Sequence, residues 1–369
     1  MRNLLPVAYD ARFAIEPCRG MGHFLRFLIE GRERKFVGLC ANREADPSLS
    51  LQSRGYRNYL LWEQISLPRL VAGGGFQVLI APYNTAPLLL SKQVRLVLVV
   101  HDMIFLDRMV WSPSMYQNIG RIYRRAIVPK AISRADVIIT VSHYVRSEII
   151  ARFGVPEDKI HVIPNTLDDN WCLDPASARH RDNYVLLVTG EAPSKNLIRA
   201  INAYAILVKR MGDDGRKLKV VGVKPKYHRH FRVQARSLGI EKQVEFFGHV
   251  PRMELQALYQ NAELFVMPSL AEGFGIPLLE AMACGTPIAA SGTTSLPEVC
   301  GKAALYFDPK SIEEMADCMC QILSDDGLQA KLREEGLRRV REFHPDLVRE
   351  KVKLMWDQVL GPERETSST

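Results

Sequence analysis

Short runs of aliphatic and β-branched residues punctuate the chain, separated by stretches in which apolar residues recur at helical spacing. In the first half the runs are Val78–Ile80, Val94–Val100, Val137–Val141 and His161–Ile163. After residue 180 the rhythm restarts with Tyr184–Val188, Leu218–Val221, Val244–Phe247, Leu264–Met267 and Pro287–Ala290. Continuous apolar runs mark strands covered on both faces, and their alternation with helices marks parallel sheets. Two such series predict an α/β protein built of two doubly wound domains. The periodicity lapses in Pro164–Trp171 and in the polar stretch Asp174–Asp182, which puts the linker near 170–182. The expected domains are 1–172 and 180–346, with a helix over 347–360 packing back on the first. Ligands of open parallel sheets bind beyond the carboxyl ends of the strands, so chemistry is expected in those loops and in a cleft between the domains.

Composition narrows the class without naming a function. At 369 residues the chain exceeds what one core fills, and 47% hydrophobic with 24% charged residues is an ordinary globular balance. No segment strings together the roughly 20 apolar residues of a membrane span. The opening Met1–Asp10 is too short in its apolar run for a signal peptide and reads as a first strand. Seven scattered cysteines show no zinc spacing, and they predict reduced thiols and a cytoplasmic setting. The formal charge is +8, and residues 1–170 hold 22 Lys and Arg against 15 Asp and Glu, so nearly all of the excess sits in the first half. An anionic partner is expected there.

The richest stretch is Pro268–Pro287. It follows an apolar strand, turns through Gly273 and Gly275, and offers Pro277 at the start of a helix. Backbone N–H groups and the positive end of a helix dipole then meet at the edge of the sheet, which suits phosphate. Glu272 precedes the helix and Glu280 lies about a turn inside it, so the two carboxylates suit opposite ends of one elongated, hydroxyl-bearing ligand.

Glu272-Gly-Phe-Gly-Ile-Pro-Leu-Leu-Glu280 resembles the E-x7-E signature of retaining glycosyltransferases of family 4. Ala281–Ala290 and Leu296–Ala304 continue that pattern. Further segments are similar to the family's motifs: Gly20-Met21-Gly22, His101-Asp102, Val141-Ser142 and Ile163–Asp168. Trp62-Glu-Gln64 and Ala81–Pro87 resemble the mannosyltransferase-like subgroup that builds surface polysaccharides. The resemblance covers nearly the whole chain. It implies the GT-B fold, two Rossmann-like domains facing a cleft, and a sugar transferred from a nucleotide donor with retention. It implies that Glu272 holds the donor hexose, that Glu280 holds the ribose, and that the amides of Gly273, Phe274, Gly275 and Ile276 lie near the phosphates. Gly20, Met21 and Gly22 are implied in a loop approaching donor and acceptor, with His101 facing the transferred sugar as a catalytic group. The base is expected near Gly222 and Val250.

Gly190–Asn196 departs from the family pattern, because Lys195 and Asn196 match while the arginine expected before the lysine is missing. Lys224 or Arg199 are candidates to replace it. Lys195 is then expected to stabilise the departing phosphate beside Glu272. No Asp-x-Asp occurs in the chain, which predicts transfer without a metal and with no cofactor beyond the donor, GDP-mannose first and UDP-glucose second. The expected acceptor is a glycan or a polyprenyl-linked sugar. A helix running up to Pro129 with Arg121, Arg124, Arg125 and Lys130 suits either the anionic inner face of the cytoplasmic membrane or a solvated helix packing inward. Three competing readings exist. A non-catalytic nucleotide-sugar-binding subunit fits the altered Arg/Lys pair. Nucleic acid is disfavoured because aromatics do not interleave with the basic residues. A dinucleotide dehydrogenase lacks its G-x-G-x-x-G after the first strand.

Overall fold

A computed structural model describes residues 6–15, 20–30, 36–41, 49–106, 115–167, 171, 182–212 and 214–361. The chain forms two compact units, Met1–Pro164 with Val348–Thr369, and Asn165–Leu347.

The first unit carries seven strands: β1 (Val7–Asp10), β2 (Phe36–Cys40), β3 (Leu51–Ser53), β4 (Val78–Ala81), β5 (Arg95–Val100), β6 (Val137–Thr140) and β7 (Ile160–Val162). All pair in parallel, in the order β3-β2-β1-β4-β5-β6-β7. The aliphatic residues of β1, β4 and β6 are buried throughout, because helices cover both faces of the sheet. β2 and β3 follow no long aliphatic run and are not evident in the apolar pattern. Gly38 sits inside β2 because a Cβ there would lie 2.6 Å from Leu51 and 2.8 Å from the ring of Tyr9.

The second unit carries β8 (Asp182–Val188), β9 (Lys217–Val221), β10 (Val244–Phe247), β11 (Ala262–Met267), β12 (Ile288–Ser291) and β13 (Ala304–Phe307). These also pair in parallel, in the order β10-β9-β8-β11-β12-β13. In both units the winding reverses beside the first strand, between β1 and β4 and between β8 and β11. A reversal of this kind leaves adjacent loops diverging at the carboxyl edge and opens a place for a ligand.

The structure revises two local expectations and gives a third motif its physical reason. Gly20-Met21-Gly22 is the first turn of the helix Gly20–Ile29 and not a loop, with Gly22 buried and Met21 exposed. The basic helix does not stop at Pro129 but runs from Met115 to Arg134 with that proline inside it. Ser142 caps the helix His143–Phe153, its hydroxyl accepting the N–H of Val145 at 3.2 Å, which accounts for Val141-Ser142 as a helix start. Asp168 lies outside the described residues, as do 170 and 172–181 of the linker expected near 170–182.

Candidate active site

The loops that follow β8 and β11 meet at the reversal point of the second sheet. After β8 the chain makes a short 3-10 turn, Pro193–Lys195, and then enters the helix Leu197–Met211. After β11 it makes the turn that holds Glu272 and enters the helix Ile276–Ala283. The backbone N–H of Leu270 donates to the carbonyl of Ser194 at 2.7 Å and ties the two loops together.

Lys195 and Glu272, separated by 77 positions in sequence, form an ion pair at 2.6 Å, with the lysine one-third exposed. The Glu272 end of this pair is braced. The Glu272 N–H donates to Thr294 Oγ1 at 3.2 Å, and Ser295 Oγ donates to the Glu272 carbonyl at 3.0 Å and to that of Phe274 at 3.1 Å. Thr294 holds a positive φ of 56°, so the bracing turn is itself strained. Neither Thr294 nor Ser295 stands out in the sequence as a support for Glu272.

Asn196 clamps the surrounding loops. It sits in the left-handed region, and its amide nitrogen donates to the carbonyls of Pro268 at 2.9 Å and Pro309 at 2.7 Å. Its oxygen accepts from Arg199 at 3.0 Å, which engages the arginine considered as a replacement cation. The other candidate, Lys224, follows β9 and pairs with Glu191 of the β8 loop at 2.9 Å. A second lysine therefore stands at this edge.

Gly275 takes φ 104° at the start of the helix, and a Cβ there would approach Leu296 to 2.9 Å, so only glycine fits. Ile276 opens the helix and Pro277 is its second residue. The ring of Phe274 is buried edge-on against Phe343, with centroids 5.7 Å apart, so the part of Phe274 left for a ligand is its backbone. Among the described residues no acceptor pairs with the N–H of Phe274 or Gly275. The buried Thr189 hydroxyl, just after β8, likewise has no partner among them.

Glu280, one turn into the helix, accepts a hydrogen bond from Tyr259 OH at 2.7 Å. Burial pushes its carboxyl up from 4.5 to about 7, and the Tyr259 hydrogen bond and the Arg252 charge offset this only in part. Arg252 lies over the ring of Trp171, which packs edge-on against Tyr259. Tyr259, Arg252 and Trp171 carry no motif of their own and are recognisable only through these contacts.

Gly222 follows β9 and Val250 follows β10. Gly222 donates its N–H to the carbonyls of Phe247 and Gly248, and a Cβ on it would lie 2.5 Å from the Thr189 carbonyl. Val250 is buried. At Gly190 a Cβ would meet nothing within 4 Å, and nothing in the structure explains why this residue is glycine.

The remaining candidates belong to the first unit. His101 follows β5, and its Nε2 donates to the Pro82 carbonyl at 2.8 Å while its ring meets Phe24 of the helix Gly20–Ile29 edge-on at 5.3 Å. Burial lowers its pKa to about 4, so the imidazole is neutral near pH 7 and offers Nδ1 as an acceptor. This is a hydrogen-bonding group and not a proton carrier at that pH.

Two parallel sheets of Rossmann type and a braced Lys–Glu pair beside a glycine-hinged helix define the GT-B class, and solved structures agree on the fold. The chain superposes on Anabaena HepE in complex with UDP-glucose with TM-score 0.75 and 17% identity, covering 96% of this chain and 100% of that one. For sucrose-phosphate synthase from Thermosynechococcus elongatus the TM-score is 0.74 at 19% identity, covering 96% and 99%. The family model described as Glycosyltransferase Family 4 matches residues 18–171, and Glycosyl transferases group 1 matches 173–339. The chain belongs to this glycosyltransferase family. It is 31% identical over 251 residues to O-antigen chain mannosyltransferase B of Escherichia coli, a match spanning 65% of each chain. It is 29% identical over 271 residues to O-antigen chain mannosyltransferase RfbU of Salmonella typhimurium, spanning 71% of each. The match to E. coli mannosyltransferase WbdA spans only 31% of that protein, so the chain covers less than two thirds of the length of both E. coli relatives.

Proposed function

We propose that the chain transfers a hexose, mannose first, from a nucleotide diphosphate sugar to a glycan or polyprenyl-linked acceptor in surface-polysaccharide assembly. The observation that carries this reading is the Lys195–Glu272 pair braced at the reversal point of the second sheet. GDP-mannose is the preferred donor and UDP-glucose the second. The names of the O-antigen mannosyltransferase relatives support mannose, and HepE with UDP-glucose supports the alternative.

On donor binding the diphosphate takes over Lys195, and Glu272, released from the lysine, accepts hydrogen bonds from hexose hydroxyls. Lys224 supplies the second cation, and the amides of residues 273–275 with the helix end supply neutral donors. Glu280 and Tyr259 address the ribose. The acceptor oxygen attacks the anomeric carbon from the face the phosphate leaves, forming one C–O bond as the C–O bond to phosphate breaks. The departing phosphate takes the acceptor proton, and the configuration is retained. The neutral His101 acts as a hydrogen-bond partner for the transferred sugar.

Lysines, amides and the helix end do the work of a metal in this scheme, so full turnover is expected in EDTA. Loss of turnover on chelation, restored by Mg²⁺, would overturn the scheme. Transfer itself is tested by incubating the purified chain with GDP-mannose and a mannose oligosaccharide and resolving the products chromatographically. Nucleotide binding without transfer or donor hydrolysis would identify a binding subunit instead.

The helix Met115–Arg134 supports a peripheral seat on the inner face of the cytoplasmic membrane. Met115, Ile119 and Ile122 are exposed along one stripe, with Lys130 exposed beside it and Arg124 exposed on the opposite side. Arg125 serves the fold, donating to the Phe105 carbonyl at 3.1 Å. No helix among the described residues is long and apolar enough to cross a membrane.

A further inference from the structure

The first sheet has its own reversal point, where Asp10 ends β1 and Pro82–Ala86 follow β4. Around it lies a sealed set of charges. Arg12 donates from Nε to both oxygens of Asp10, at 3.0 and 2.9 Å, and from Nη2 to Asp10 at 2.5 Å and Glu63 at 3.1 Å. Trp62 Nε1 donates to Asp10 at 3.2 Å, and Thr85 and Tyr123 hydroxyls each donate to Glu63 at 2.6 Å. Asp10 and Glu63 are 2% and 1% exposed. Glu63 rides on a single π-helical turn, Trp62–Ser66, a form that recurs at functional sites. The network joins Trp62-Glu-Gln64 to Ala81–Pro87, the two segments set apart in the sequence.

Two buried carboxyl groups share one guanidinium. Burying charges in this way gives little stability for its desolvation cost, whereas it does fix geometry. What it fixes is the turn after β1. Ala11 donates to the Leu39 carbonyl at 2.9 Å, Ala14 to that of Ala11 at 3.0 Å, and Arg26 to that of Ala14 at 2.6 Å. Within this pinned turn stands Phe13, 46% exposed. Its N–H donates to Tyr83 OH at 3.1 Å, and its ring meets the Tyr83 ring edge-on, with centroids 4.8 Å apart at 85°.

An exposed aromatic ring is ordinarily free to fold onto the surface, but this one is held from both backbone and ring. Its π-face is electron-rich and apolar, matching the C–H face of a pyranose. The Arg12 guanidinium, 5.8 Å from the ring centroid, is already engaged by Asp10 and Glu63, which suits a neutral sugar better than a phosphate. We propose that Phe13 is a stacking platform for a pyranose ring of the acceptor glycan, held in place by the Asp10–Arg12–Glu63 brace. This rests on the reading of the chain as a glycosyltransferase with a glycan acceptor.

The test uses the full chain, a mannose oligosaccharide and GDP-mannose. Phe13→Ala is expected to weaken oligosaccharide binding in calorimetry, and to raise the acceptor KM, by about 10-fold. Donor KM and donor hydrolysis stay at wild-type values, and Phe13→Trp restores acceptor binding. Tyr83→Phe, which removes only the hydroxyl that holds the turn, gives a smaller rise in acceptor KM with kcat unchanged. If the wild type transfers mannose and Phe13→Ala binds the oligosaccharide equally well, or loses donor hydrolysis in parallel, the platform is wrong while the transfer reading stands. A wild type that neither transfers nor hydrolyses a nucleotide sugar, and binds no oligosaccharide, removes both.

Discussion

The reversal points of the two sheets share a topology but use their charges in opposite ways. In the second unit Lys195–Glu272 and Lys224–Glu191 are partly exposed one-to-one pairs, which an anionic, hydroxyl-rich ligand can exchange at small cost. In the first unit Arg12 is enclosed by Asp10 and Glu63, and every carboxylate oxygen there already has a donor. One edge keeps its charges available and the other locks them into a frame. Similar residue types at similar positions thus divide into an exchangeable set of pairs and a rigid one according to burial.

The sharpest way to break this contrast is Glu272→Gln. It is expected to cut turnover by about 10³ while nucleotide affinity in calorimetry changes only a few-fold. Equal loss of both would remove the distinction between sugar-binding and nucleotide-binding carboxylates. The converse measurement is stability. Arg12→Met leaves the buried Asp10 and Glu63 carboxylates without their shared cation and should cost about 3–5 kcal/mol in urea denaturation. Lys195→Met should cost less than about 1 kcal/mol in the same assay, because its pair is partly exposed, yet reduce turnover by about 10². If both substitutions destabilise alike, the contrast fails.

The smallest effect concerns Glu280. The folded chain holds this carboxyl's proton up to about pH 7, whereas the unfolded chain releases it near 4.5, so folding takes up a proton between those values. Its contribution to stability is complete below about 4.5 and is lost as pH rises through 7. Glu280→Gln should therefore flatten the fall in melting temperature across that window. An unchanged slope would place the proton elsewhere.

Long aliphatic runs such as Val94–Val100 exposed the double winding at once, because a strand covered on both faces needs no polar alternation. β2, β3 and β13 were harder to see. β2 contains the glycine that Tyr9 requires, β3 has only three residues, and β13 at the sheet edge is only partly buried. In the site, Glu272, Glu280 and Lys195 were legible through the motifs around them, and the structure brings Lys195 onto Glu272. The same motifs point to Asn196 and Gly222 as ligand contacts, and in the structure both also tie loops and strands together. A conformational clamp and a ligand contact leave the same mark in a sequence. Tyr259, Thr294 and Ser295 were not legible, since a hydroxyl becomes a brace only when the fold delivers a carboxylate or carbonyl to it.

The helix Pro345–Leu360 carries a consequence for how the molecule is made. Trp356 is fully buried in the first unit, donates its indole N–H to the Leu28 carbonyl at 2.8 Å and packs beside Phe36, and the Arg95 guanidinium reaches the Val359 carbonyl. A ribosome releases these residues only after the entire second unit has emerged. The half synthesised first must therefore wait, with a gap in its interior, for the half synthesised second, and its early chain stays open to chaperones and proteases throughout that interval.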